Sequence, residues 1–505
     1  MDAPAFSAGA ARLPVEPPLG LPMIGFVRRH EPARASAGDL EVTAVAFERD
    51  TTRALVIGVD TLGIQGEEAD ALRGRVAAAT GAEPAAVLLN WNHTHCAPPG
   101  GRSLLRLCGT VEDELRDASL AYAGFLADQV VAVARLAVSR LEEARVTWGL
   151  GSCDLAVNRR ERTAEGRVIL GWNEDGIVDR QVPVLQAQRR DGSAIATVVG
   201  YGCHTVAVGP DVLAYSADYP GALRDAVRAW TGGECVYVQG AAGNVLPRIG
   251  FADSLEPAAE MGRRIALAAL GALAGRDAWE VEHARVADGS VTPISRYERR
   301  VLPTRVPALA AVELDVELPL LPLPSPEEIA ALRTAADAAL DAAVAAGADP
   351  GEVNVLRYES TWARMTEQAI RDGSARPAVS GPVHALRIGD GAIVTGPGEV
   401  FSEIGLAVRE RSPAAVTLYA GYTNDLITYF ASASAYPHGG YEPGYGNRSF
   451  GLPAQVTPAC DGLLVGAGAE ALARVFGEAP PAADDLLASG RPLPPPPLPL
   501  ARPGR

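Results

Sequence analysis

The chain has seven histidines in 505 residues, and two of them share one triplet, His93-Thr94-His95. The triplet lies in Asn92-His93-Thr94-His95-Cys96-Ala97-Pro98-Pro99-Gly100, after the apolar run Ala86-Val87-Leu88-Leu89-Asn90-Trp91. That run reads as a buried strand and the Pro/Gly stretch as a loop. Imidazoles at i and i+2 on the last residues of a strand project to one side of its sheet. Imidazole is also the commonest side-chain ligand of zinc, so the spacing points to metal chemistry at a strand end. The plainer alternative is one core histidine followed by one turn histidine.

The elements that would position such a site alternate in type. Val42 to Phe47 and Ala54 to Asp60 read as strands, Gly66 to Gly81 as a helix, and Val111 to Leu141 as a long helix. Ala194 to Tyr201 is a β-branched run ending at Gly202-Cys203-His204. Tyr219 to Trp230 reads as a helix, Cys235 to Gln239 as a strand, and Ser254 to Ala274 as a helix. The expected class is α/β, with mixed sheets flanked by helices. Between 318 and 373 an inserted helical hairpin is expected, serving as scaffold or as lid. Its start, Ser325-Pro326-Glu327-Glu328, has the order of a capping box, and Asp349-Pro350-Gly351-Glu352 repeats it. Beyond it, His384 to Ile388 and Ala392 to Thr395 form a strand pair, Gly396-Pro397-Gly398-Glu399 leads into a helix ending near Arg411, and Val416 to Ala420 is a strand. One domain over 1–478 is expected, followed by a proline-rich tail over 479–505.

Four apolar runs thus end in polar residues: His93 and His95, His204, Glu399, and the stretch Asn424 to Tyr429. In open α/β sheets the carboxyl ends of strands converge on the ligand crevice. Two imidazoles, a carboxylate and a further oxygen donor make a zinc set with room for water or substrate. Nothing local separates Tyr429 from Tyr422 as the last donor.

Taken in order, these segments resemble the catalytic domain of the neutral (neutral/alkaline, non-lysosomal) ceramidase family. The resemblance runs from about Ala11 to Phe476. It rests on His93-Thr94-His95-x-x-Pro98, Asn158-Arg159, the strand ending in His204, Ser216-Ala217-Asp218, Gly243-Asn244-Val245-Leu246-Pro247, Pro397-Gly398-Glu399, and Gly421-x-x-Asn424 with Tyr429. It implies zinc held by His93, His204, Glu399 and Tyr429, with His95 and Arg159 beside the substrate carbonyl or developing oxyanion. Asp218 matches a position open to two readings, a helix N-terminal carboxylate or support for the metal ligands. Two departures stand out. Leu246 occupies the place of the family's catalytic serine, and the chain ends where ceramidases continue into an immunoglobulin-like domain. Both point away from ceramide as the substrate.

The expected function is a zinc-dependent hydrolase that cleaves an amide or ester of a soluble small molecule with metal-activated water and no serine nucleophile. Arg159, together with a donor from His95 or Tyr429, is expected to stabilise the oxyanion, and His95 to carry the proton to the leaving amine. Cys96, Asn244, Leu246, His438 and Tyr441 are the expected substrate-lining residues, with Glu442 on the same rim. Cys96 has two readings, a reactive thiol beside the metal or a small residue in a tight turn. Acyl transfer or intramolecular cyclisation at the same site is the alternative, and a non-catalytic zinc-binding homologue the third reading. Composition narrows the field further. All 45 basic residues are arginine, which excludes Schiff-base and P-loop chemistry. The net charge of -16 argues against nucleic acid and anionic membrane surfaces. No uninterrupted apolar run of about 20 residues is present to insert in a membrane. Six cysteines without CxxC pairing and no signal-like N-terminus suit the cytoplasm. A homo-oligomer is compatible with the composition.

Overall fold

Short β-branched runs build the sheets, and alanine- and leucine-rich stretches cover them. The structure is a computed structural model that describes residues 6–105, 113–286 and 295–479. The expected helix start at Val111, Cys108 and the proline-rich stretch from residue 480 onward lie outside the described residues.

The first sheet has five strands in the order Val87–Trp91, Thr52–Val59, Glu41–Arg49, Phe6–Pro14 and Glu142–Glu143. Its pairs are antiparallel except Thr52–Val59 with Val87–Trp91, which run parallel. A second sheet is ordered Glu234–Gln239, Ala194–Tyr201, Gln181–Gln188 and Arg145–Ser152, again with one parallel pair, Ala194–Tyr201 with Glu234–Gln239. A third is ordered Leu309–Pro319, Ala378–Ile388, Gly391–Thr395 and Thr417–Ala420, with its last pair parallel. The architecture is mixed α/β, as the alternation of elements implies.

The parallel pairs matter for function because they bring carboxyl ends together. Asn90 joins all three sheets at that point. Its Nδ2 donates to the Gly421 carbonyl at 2.8 Å, and its Oδ1 accepts from the Gln239 amide at 2.7 Å. The Trp91 amide donates to the Tyr422 carbonyl at 3.0 Å. One apolar core, containing Val42, Val59, Leu89, Val199 and Tyr237, lies under this junction.

The long helix Asp113–Ser139 meets the length and composition of a bilayer span over Glu114–Ser139. Asp128 and Arg135 interrupt its apolar sequence, and Leu126, Val130, Val133 and Ala137 pack into the core. The hairpin helices are Pro326–Ala345 and Pro350–Arg371. Ser325 and Glu328 form the expected capping box, whereas at the second helix only the Asp349 half appears, its carboxylate accepting from the Glu352 amide. The second helix ties down both neighbouring loops. Asn354 donates to the Val27 carbonyl at 2.7 Å, Tyr358 to Ser449 at 2.9 Å, and Trp362 to the Leu452 carbonyl at 2.9 Å. None of the five described cysteines is in a disulfide.

Candidate metal centre

His93 and His95 lie beyond the strand Val87–Trp91, not on its last residues. The chain turns there because His93 adopts a left-handed backbone, φ 63°. Such a conformation costs a β-carbon-bearing residue on the order of 1 kcal/mol or more, and it persists only where surroundings enforce it. The His93 amide donates to the Thr61 carbonyl at 3.0 Å, and Thr94 Oγ1 donates to the Ser216 carbonyl at 2.7 Å. Asn92 is held from below, its Nδ2 donating to Asp60 at 2.6 Å, while Arg224 grips both Asp60 oxygens at 2.7 Å. Tyr422 and Asn424, on the facing loop, also have positive φ, 52° and 63°. Strained residues therefore cluster where three strand ends meet.

The three imidazoles of His93, His95 and His204 converge there. Ring centroids are 5.1 Å apart for His93 and His95, 4.8 Å for His93 and His204, and 5.6 Å for His95 and His204. Ligand atoms of all three lie within 4.8 Å of one another, an arrangement that could hold a metal ion. His93 places Nδ1 2.8 Å from the Leu62 carbonyl, and His204 places Nδ1 2.9 Å from the Ala242 carbonyl. A carbonyl can only accept, so each Nδ1 carries the proton and each Nε2 keeps its lone pair. Both lone pairs face one carboxylate: His93 Nε2 is 3.5 Å from Glu399 Oε1, and His204 Nε2 is 3.3 Å from Glu399 Oε2. An Nδ1–H anchored to a backbone carbonyl is the support that metal-binding histidines usually have. His95 Nδ1 is turned to the Gly25 backbone, where any β-carbon would overlap the ring, and Nε2 has no partner.

The cluster is sealed from solvent. His93, His95, His204, Arg159, Glu399 and Tyr429 are 1 to 8 % exposed. Burial disfavours charge, so it lowers His93 to about 3 and holds His95 and His204 well below the ordinary imidazole range. Burial also pushes Glu399 up to about 8, with Arg159 and the hydroxyls of Tyr429 and Tyr422 pulling the other way. Burial weighs against His95 as a proton carrier near neutral pH, since so depressed a base is a weak acceptor. Its free lone pair suits a ligand or a hydrogen-bond partner. A buried set of three neutral imidazoles around one carboxylate, with lone pairs unspent, fits a divalent cation with nitrogen and oxygen ligands.

Glu399 sits on a two-residue strand, Glu399–Val400, that runs parallel to Tyr429–Phe430 with Glu399 opposite Tyr429. Tyr422 approaches from the other side, its hydroxyl 3.3 Å from Glu399 Oε2 and its ring centroid 4.5 Å from that of His93. Both phenols flank the carboxylate, and burial raises both well above their usual range, with Glu399 adding to it. The sequence left Tyr422 level with Tyr429 as the last donor, and only the resemblance preferred Tyr429. The signal for Tyr422 is the left-handed position two residues before Asn424, which only the folded backbone reveals. Asn424 itself faces away. It accepts from the Leu89 amide at 2.8 Å and lies 2.9 Å from His384 Nε2, so it pins the strand and stays outside the cluster.

Arg159 enters from the strand Ala156–Arg162, its amide donating to the Asn244 carbonyl at 2.8 Å. Its Nη1 lies 3.4 Å from His204 Nε2, its carbon 5.3 Å from the Tyr429 ring centroid, and its Nη2 makes no hydrogen bond of good geometry. Nε donates to Glu442 Oε1 at 2.7 Å, and Arg160 Nη1 donates to Glu442 Oε2 at 2.6 Å. Breaking one partner from such a buried pair costs about 3–5 kcal/mol.

The expected lining residues fall into two groups. Tyr441 packs edge-on against Tyr429 at 5.3 Å, and Leu246 is buried in Val245–Pro247 opposite Val157. Cys96 is fully buried behind the histidines, its thiol pushed up to about 12 by burial, which favours the tight-turn reading. Asn244 accepts from the Ser402 amide at 3.0 Å and donates to Glu403 at 2.8 Å, so its side chain braces the start of the helix Ser402–Glu410. His438 is exposed at the end of a 3-10 turn, Ala433–His438, and Glu442, expected on the rim, is wholly buried. Asp218 caps the helix Tyr219–Thr231, accepting from the Tyr219 amide at 2.6 Å and from Val208 at 2.8 Å. That is the helix N-terminal reading.

No family model and no curated protein sequence matches the chain. Among solved structures, the neutral ceramidase from Pseudomonas aeruginosa aligns with a TM-score of 0.63 at 16% identity, over 96% of this chain and 78% of that one. A ceramidase complexed with C2 aligns with a TM-score of 0.61 at 14% identity, over 95% and 77% respectively. The fold is ceramidase-like.

Proposed function

We propose that the chain is a zinc-dependent hydrolase that cleaves the amide, or ester, bond of a small soluble compound without a serine nucleophile. The observation that carries this reading is the pair His93 and His204, each anchored through Nδ1 with Nε2 turned to Glu399. His93, His204 and Glu399 would hold the ion. Tyr429 would complete the set by the resemblance, with His95 as the rival fourth donor, since its nitrogens stand within the same cluster. When bound, zinc supplies a Lewis acid and lowers the pKa of water to about 7.

The chain's own groups account for the remaining demands of acyl cleavage. Arg159 stays cationic, because Glu442, Glu399 and Tyr429 around it favour the charged form against its burial. Its unpartnered Nη2 is a preorganised donor for the oxyanion that develops on the carbonyl. Leu246, at the family's serine position, offers no oxygen, so no acyl-enzyme is expected there. The segment around Gly25, pressed on His95 and tied through Val27 to Asn354, closes the site against bulk water.

That closure favours a second reading, acyl transfer to an amine in place of water. One experiment addresses both. The purified protein is assayed for metal and then incubated with a panel of short N-acyl compounds, with and without chelator and with and without an added amine, and products are weighed by mass spectrometry. Chelator-sensitive release of free acid supports hydrolysis, and a new amide in the presence of amine supports transfer. Turnover that survives complete removal of metal would count against the proposal.

A further inference from the structure

Arg159 and Arg160 are neighbours on the strand Ala156–Arg162, and neighbouring side chains on a regular strand point to opposite faces. Here both guanidinium groups reach the same carboxylate, Arg159 Nε at 2.7 Å from Glu442 Oε1 and Arg160 Nη1 at 2.6 Å from Glu442 Oε2. The pairing with Val168–Asn173 shifts register between Asn158 and Arg160, the kind of irregularity that re-aims a side chain. Glu442 is 0 % exposed, and its carbonyl is held by Gln455 Nε2. Arg160 spends Nη2 on the Gly439 carbonyl at 2.6 Å, so it fastens the 439–442 turn that presents the carboxylate. Arg159 has only its Nε committed to Glu442. Its two terminal nitrogens are left to the histidine cluster, Nη1 along the His204 ring and Nη2 unpartnered.

We propose that Glu442 is the positioning residue for Arg159: bridged to the Arg159–Arg160 pair across the strand irregularity, it fixes the guanidinium so that Nη2 faces the reacting carbonyl. This rests on the reading of Arg159 as the oxyanion donor. Glu442 touches neither metal ligands nor substrate and acts through Arg159 alone. A planar fork gripped at Nε has its remaining donors in one plane, and so a carboxylate at that edge sets their direction. Tyr441, which packs on Tyr429, is the adjacent residue, so the same turn delivers a wall of the site and the anchor of its cation.

The test compares Glu442→Gln, the charge-compensated pair Glu442→Gln with Arg160→Met, Arg159→Ala, and each of the first two combined with Arg159→Ala. Each is assayed for bound metal, melting temperature, kcat and KM on the N-acyl compound that the unaltered protein cleaves. Glu442→Gln alone leaves two guanidinium groups without their counter-charge and is expected to lower the melting temperature, while the compensated pair recovers it. Both are expected to keep the metal and KM and to lose kcat by about tenfold or more. Neither is expected to slow Arg159→Ala further. A compensated pair that regains full kcat would show that Glu442 only balances charge and would overturn the inference. So would a Glu442→Gln loss that adds in full to that of Arg159→Ala. An undiminished rate in Arg159→Ala removes the role of Arg159, and with it that of Glu442. Metal-loaded protein that cleaves nothing in the panel defeats the hydrolase reading at the outset, and this inference with it.

Discussion

Cation binding at this site should release a proton from Glu399. Burial holds Glu399 at about 8 in the metal-free protein, so at neutral pH its carboxyl is mostly protonated and must ionise to bind a cation. The histidines compete differently. Burial puts His93 at about 3 and the other two well below 6.5, so none carries a proton to displace above pH 6. From Glu399 alone, zinc affinity is then expected to rise about ninefold from pH 6 to 7 and about fivefold from 7 to 8, about 50-fold in all, and to level off near pH 9. Chelator-competition titrations at pH 6, 7, 8 and 9 read this slope directly. Calorimetry in two buffers of different ionisation enthalpy counts the released protons: Glu399 accounts for one at pH 6.5 and almost none at pH 9, and any beyond that belong to Tyr429 or to a zinc-bound water. Glu399→Gln should bind more weakly and lose the slope. The stability of the metal-free fold carries the same sign. A carboxyl raised from 4.5 to about 8 contributes stability that is full below 4.5 and lost as pH rises through about 8, so the metal-free protein should melt lower at pH 8.5 than at pH 6. A flat affinity between pH 6 and 8, or a slope that Glu399→Gln leaves unchanged, would falsify the role given to Glu399.

Other expectations follow from single residues. Arg159→Ala should lower kcat about 10²- to 10³-fold with KM little changed, as steady-state kinetics will show, because its Nη2 serves the transition state and not the ground state. Cys96, buried and pushed up to about 12, should resist iodoacetamide in the native protein and react after denaturation, as peptide mass spectrometry can tell; native alkylation with loss of activity would reinstate it as a reactive thiol. Leu246→Ala should cost about 2–5 kcal/mol in denaturant melts while metal content stays unchanged, since the side chain is buried on the strand Val245–Pro247 opposite Val157; loss of metal instead would show that it supports the metal-binding side chains.

Apolar runs ending in single polar residues made most of the fold legible in the sequence, because strand period and helix caps are local. Ser325 with Glu328, or Val87 to Trp91 before His93, are decided within a few residues of chain. The convergence of His93, His204 and Glu399 was readable only through the rule that parallel strands gather their carboxyl ends. Glu442 was read as a rim residue, and its buried place against two arginines was not readable. Its place depends on a turn closed by Arg160, 282 residues away in sequence, and on an irregularity in the strand that carries both arginines. Asn424, at the start of the fourth polar stretch, serves the fold: it satisfies the backbone of the neighbouring strand at Leu89 and Val87. The depth at which His95 lies was not legible either: burial, which no local pattern encodes, weighs against a charged imidazole there.

The most direct measurement is diffraction from crystals grown with stoichiometric zinc, collected on either side of the zinc absorption edge. One anomalous peak bounded by His93 Nε2, His204 Nε2 and the Glu399 carboxylate is the predicted result. Crystals that show no peak there, or a zinc ion held elsewhere while those three side chains keep only one another's company, would contradict the account.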